Sequence, residues 1–194
     1  MWLEFPFFAS VAICCWLGAS ALFFTSGKKV MNQLAAGLSL AGTLVLLAFV
    51  INLWIHIQRP PMRTLGETRL WYAIFLSGIG LVSYLRWKYK WLVSYSLGLA
   101  IVFLIINLQH PETYDKTLMQ ALQSPWFIPH VIVYIFAYAM LGASSVVALR
   151  NLFFVPSEKT IKGPIQMADN LVYLGFSFLT FGLLFGALWA KEAW

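Results

Sequence analysis

The side chains best suited to hold a metal in this sequence are three histidines, and their settings differ. His130 follows Pro129 at the head of an apolar run, a place where proline suits a first helical turn because its missing N–H would have no helical partner there. The positive end of the helix dipole disfavours added charge on the ring, and the neutral imidazole is the form that binds metals. Trp126 and Phe127 stand just before it. His56 lies at the end of another apolar run after Trp54, where an interfacial histidine needs no further role. His110 stands beside Pro111 in a polar stretch and reads as a solvated loop residue. Cys14 and Cys15 are adjacent, which suits neither an unstrained disulfide nor metal-ligand spacing, so they read as small packing residues. No HExxH, CxxC, nucleotide-binding glycine loop or nucleophile motif is present. No apolar run carries the buried carboxylates of a proton pump, and Glu67 and Asp169 fall near run starts, where helix dipoles favour anions.

The elements that must position these groups are set by composition. Hydrophobic residues make up 61% of the 194 residues and charged residues 10%, against roughly 45–50% and about 25% in soluble domains. A chain this short cannot hide that excess in a core, so lipid must solvate its outside. In lipid every backbone polar group has to be satisfied internally, which leaves helices or a closed barrel. The apolar runs are of helix length rather than short alternating segments, so the expected fold is an all-α polytopic transmembrane bundle in a single domain. Its six spans fall near 5–25, 33–56, 68–85, 92–108, 126–149 and 168–190. The first run is kept as a span and not a signal peptide, because its leading residues hold Glu4 and no Lys or Arg, and no clear cleavage site follows.

Basic residues punctuate the runs. With the N-terminus outside, the inner connections hold Lys28, Lys29, Arg86, Lys88, Lys90, Arg150, Lys159 and Lys162, and the outer side holds Arg59, Arg63, Arg69, Lys116 and Lys191. That bias favours an N-out, C-out topology. The net charge of +6 is thereby spent on orientation and lipid headgroups, and no basic face for nucleic acid is left. Arg86-Trp87-Lys88-Tyr89-Lys90-Trp91 has the mixed cationic and aromatic composition of a headgroup belt. Gly182 and Gly186 form a small-xxx-small pair that lets helices approach closely, or a face on which a flat ligand could lie. On this topology Trp126, Trp189 and Trp194 collect on the outer side near His130. An aromatic wall with a neutral histidine is what a haem-like macrocycle needs: a flat apolar surface and an axial nitrogen.

Three stretches resemble the CcsA (also ResC) family of cytochrome c biogenesis proteins, the haem-handling part of the System II pathway. Arg59-Pro60-Pro61-Met62-Arg63-Thr64-Leu65-Gly66-Glu67 is similar to the family's Pro-x-x-Asn-x-Tyr-Glu segment, with Thr64 and Gly66 at the Asn and Tyr positions. Ser124-Pro125-Trp126-Phe127-Ile128-Pro129-His130, continuing through Ala137-Tyr138-Ala139, resembles the segment bearing the first external haem-ligating histidine. The run from Gly175 to Trp194 resembles the helix that leads into the family's tryptophan-rich external motif, and Trp194 stands at that motif's opening tryptophan.

The resemblance implies a subunit that presents haem b, as cargo or substrate, on the outer face of a bacterial inner or other energy-transducing membrane. There the haem is joined through thioethers to the Cys-x-x-Cys-His of an apocytochrome c, with a CcsB/ResB-like membrane partner. His130 is the implied axial ligand of the haem iron, and Trp126, Trp189 and Trp194 are the implied haem-contacting residues. The remaining ligands would follow residue 194, so the expected chain is an N-terminal portion, with synthase activity only in the longer protein. Readings of other classes stay open: a non-catalytic multi-span scaffold or transporter half, or a haem exporter of the same superfamily.

Overall fold

A computed structural model describes residues 2–25, 28–114, 124–154 and 158–193, with the side chains of 154, 158–162 and 193 excepted. Among them are six long α-helices: α1 (Phe5–Thr25), α2 (Lys29–Ile57), α3 (Leu65–Trp87), α4 (Lys90–Gln109), α5 (Phe127–Phe154) and α6 (Glu158–Ala193). No strand occurs among the described residues. All six are long and apolar enough to cross a membrane, so the expected all-α polytopic bundle is the observed fold.

Five of the six helices run past one or both ends of the apolar segments that announced them. An apolar segment marks the hydrocarbon, whereas a helix continues until its end groups are capped. The largest difference is at α6, where residues expected to lie in a connection are helical from Glu158 and the helix passes through Pro164. A proline inside a helix removes one i→i−4 hydrogen bond; Pro164 and Met167 are buried, and the segment continues as helix through Leu171.

The chain divides into two compact units, Met1–Leu122 and Gln123–Trp194. In the first, α1 packs on α2 and α4, and α3 packs on the same two helices. Residues Phe5, Ala9, Ala12, Trp16, Ala19 and Phe23 form the buried stripe of α1, at the spacing of one helix face. Trp16 is fully buried and donates its indole N–H to the Ser39 carbonyl at 3.2 Å. A Cβ on Gly42 would lie 2.7 Å from that indole nitrogen, so only glycine admits the ring there. Gly80 does the same for α3 against Ser96 of α4.

Polar groups in this unit gather at the helix ends. At one end, Glu67 is 2% exposed and accepts from both terminal nitrogens of Arg59, at 3.0 and 2.8 Å, and from the backbone N–H groups of Arg63 and Thr64. Thr64 returns the capping interaction through its hydroxyl to the Glu67 N–H, closing a reciprocal capping box at the head of α3. Thr64 thus fills an N-cap position that asparagine serves equally well. Asn107, fully buried near the end of α4, donates to the Gly66 carbonyl at 2.9 Å, and Tyr114 donates to the Asn107 carbonyl. The Tyr114 ring lies over Gly66 and stacks on Trp2 at 4.0 Å. Burial first, and the Glu112 carboxylate second, push the Tyr114 hydroxyl above the usual phenol range, which keeps it a donor. At the opposite end Lys88 caps α3 in the left-handed conformation, with its N–H on the Tyr84 carbonyl, and its ammonium lies over the Tyr84 ring.

The second unit is the pair α5 and α6. Ser144 of α5 donates to the Ala168 carbonyl of α6 at 3.0 Å, and Gly175 meets the Leu141 side chain.

Removing the Glu67 carboxylate strands four donors at once, with Arg59 only 27% exposed. Glu67→Ala is therefore expected to lower stability by about 3 kcal/mol, the lower end for breaking a buried pair. Thermal unfolding in detergent checks this; an unchanged midpoint would refute it.

Candidate functional site

His130 occupies the first turn of α5 beyond its capping residues. Its backbone N–H reaches back to the Trp126 carbonyl at 3.2 Å. Because α5 begins where α6 ends, the first-turn side chains of one helix meet the last turns of the other. His130 and Trp189 lie with ring centroids 5.7 Å apart and planes within 20°, a stacked pair. Phe127 packs on Trp189 at 6.0 Å, and Trp126 stacks on Phe185 at 6.1 Å. Three of the four expected site residues, His130, Trp126 and Trp189, are thus brought to one helix end. The fourth, Trp194, lies outside the described residues.

The imidazole is fixed by more than stacking. His130 Nδ1 lies 2.8 Å from the Gly182 carbonyl oxygen. A carbonyl can only accept, so Nδ1 carries the hydrogen, and in the neutral ring Nε2 is then the nitrogen with the unshared pair. Tyr134, one turn along α5, meets the imidazole edge-on at 4.5 Å. The ring is half-buried, held between Tyr134 and Trp189 with one nitrogen committed. This is the arrangement by which metal-ligating histidines are oriented: one nitrogen donates to a carbonyl and the other faces the ion.

The glycine pair on α6 has its partner in α5. Gly182 lies under the Tyr134 ring and Gly186 under the His130 ring, so the close-approach reading describes this face and the open platform for a flat ligand does not. A second tie closes the site below Trp126. Ser124 donates its hydroxyl to the Glu192 carboxylate, and the same oxygen accepts the Trp126 N–H at 3.2 Å.

Among the described residues no group of three or more His, Cys, Asp or Glu side chains could enclose a metal ion. A single oriented imidazole among aromatic rings can supply one nitrogen to a metal ion. The other two histidines belong to the first unit. His56 is exposed in the last turn of α2. His110 is exposed and pairs through Nδ1 with Glu112 at 2.7 Å. Cys14 and Cys15 are free thiols.

Residue types alone do not reveal Tyr134, Ser124, Glu192 or the Gly182 carbonyl as parts of this site. The i, i+4 spacing of His130 and Tyr134, matched by that of Gly182 and Gly186, is the one signal in the sequence that pairs the two faces.

The sequence model of the family described as cytochrome c assembly protein matches residues 4–194. The chain is similar to the cytochrome c biogenesis protein CcsA of Chlamydomonas reinhardtii, 29% identical over 195 residues, covering 92% of this chain and 54% of that protein. It is similar to CcsA of Panax ginseng, 27% identical, covering 78% of this chain and 62% of that protein. CcsA of Synechococcus sp. is 25% identical, over 95% of this chain and 74% of that protein. The chain thus spans about half to three quarters of the length of these relatives. No solved structure matches.

The stack of Trp189 on His130 shields one face of the imidazole. Trp189→Ala is expected to raise acylation of His130 by diethyl pyrocarbonate relative to that of exposed His56, read by peptide mass spectrometry. An unchanged ratio would show that the stack gives no protection.

Proposed function

The chain belongs to the cytochrome c assembly protein family, and on that premise we propose that it serves cytochrome c biogenesis by holding haem b for covalent attachment to apocytochrome c. The observation that carries this reading is the 2.8 Å bond from His130 Nδ1 to the Gly182 carbonyl. It leaves Nε2 as a preset nitrogen for the haem iron. Trp126 and Trp189 supply apolar surface beside it. Trp189, within 20° of the His130 ring plane, buttresses the imidazole that would hold the haem.

In this reading the protein contributes position and exclusion of water, as is general when a cofactor carries the chemistry. Each thiol of the Cys-x-x-Cys-His segment adds across a vinyl group, with sulfur bonding to one carbon and hydrogen to the other. The histidine of that segment would then be able to hold the iron in place of a ligand such as His130. A CcsB/ResB-like membrane protein is the proposed partner. The proposed topology is N-out and C-out, which sets the His130 end of α5 on the outer face of an energy-transducing or bacterial inner membrane.

Purified protein is expected to show b-type haem absorption that is lost in His130→Ala and restored by added imidazole. Equal haem content in the variant would refute ligation, and haem absent from both proteins would favour a non-catalytic scaffold. For topology, single cysteines are introduced as His110→Cys and Lys29→Cys in a chain freed of Cys14 and Cys15. In intact cells a membrane-impermeant maleimide is expected to label the first and spare the second; the reverse pattern would invert the topology.

A further inference from the structure

We propose that Gly186 is a positioning residue that sets the tautomer of His130, by leaving the one space through which Nδ1–H can reach the Gly182 carbonyl. The proposal rests on His130 as the haem ligand and adds what makes Nε2, and not Nδ1, the ligating atom.

A carbonyl within an α-helix points along the axis toward the residue four positions on. A side chain from another helix that donates to the Gly182 oxygen must therefore pass over residue 186. A Cβ built on Gly186 would lie 2.7 Å from His130 Cε1 and 2.8 Å from Nδ1, closer than side-chain carbons pack. The ring has little room to yield. Trp189 stacks against it at 5.7 Å, and Tyr134 stands edge-on to it at 4.5 Å. The ring is also only one carbon, its Cβ, away from the backbone of α5, unlike the loose end of a long side chain. Any residue but glycine at 186 pushes the imidazole off the carbonyl and removes the acceptor that holds the hydrogen on Nδ1.

Gly175 and Gly182 make comparably tight approaches, to Leu141 and to Tyr134. Those approaches are packing between apolar groups. Of these three glycines, Gly186 is the one whose close neighbour is the imidazole, so close packing there also selects a protonation pattern. The bond to the carbonyl raises the basicity of the opposite nitrogen, and loss of such an outer partner typically weakens metal affinity by about 10–100-fold.

The test compares purified wild type, Gly186→Ala, Gly175→Ala and His130→Ala. First, histidine ¹⁵N shifts are recorded on haem-free protein, with the His130 signals assigned by their loss in His130→Ala. Wild type is expected to show Nδ1 protonated and Nε2 bare; the opposite pattern in wild type would overturn the proposal. Second, haem affinity per folded protein is measured. Gly186→Ala is expected to bind about 10–100-fold more weakly and Gly175→Ala as wild type does. Equal losses in the two would reduce Gly186 to packing and overturn the proposal. If Gly186→Ala does not accumulate, the wild-type tautomer alone decides. Haem retained in His130→Ala would overturn the ligand reading separately, because the tautomer is read without haem.

Discussion

A bilayer interior offers no water, so a donor carried into it must find an acceptor on a neighbouring helix. The backbone is satisfied within each helix, but each helix carbonyl keeps a second lone pair. Among the described residues, four cross-helix contacts use that spare capacity: Trp16 on Ser39, Asn107 on Gly66, His130 on Gly182 and Ser144 on Ala168. Each ties a side-chain donor to the main chain of a partner helix, and each fixes the rotation of two helices about their axes. Apolar packing alone is a weak guide here, since lipid tails are as apolar as leucine.

This use of carbonyls explains where the glycines matter. Reaching a helix carbonyl from the side requires the local surface of that helix to be bare. Gly42 clears the way for Trp16, and Gly186 for His130. At Gly66 the residue itself is the acceptor, and the Tyr114 ring occupies the place a side chain would take. The same device therefore serves a structural tryptophan in one unit and the candidate ligand in the other.

These relations bear on what could be read from the residues alone. The six helices were legible because hydrocarbon thickness fixes the length of an apolar run. The meeting of His130 with Trp126 and Trp189 was legible because consecutive membrane helices run in opposite directions, which sets the head of α5 beside the tail of α6. The Gly182 carbonyl was not, because every residue has a carbonyl and its spare lone pair leaves no mark in residue type. Nor was the role of Glu67. Its position suggested only a favourable helix dipole, whereas the structure has it gather four donors. The extension of α6 back through Pro164 was hidden by a polar, proline-containing stretch that looks like a connection.

The stack between Trp2 and Tyr114 has a consequence for biosynthesis. Trp2 is made before α1, and its partner Tyr114 is made only after the four helices α1 to α4. Until then the leading end of α1 lacks its aromatic clasp, and the ring of Tyr114 cannot cover Gly66. The four helices are therefore locked only once Tyr114 reaches back to Trp2, and an arrest of translation before Tyr114 leaves four inserted helices without their closing contact.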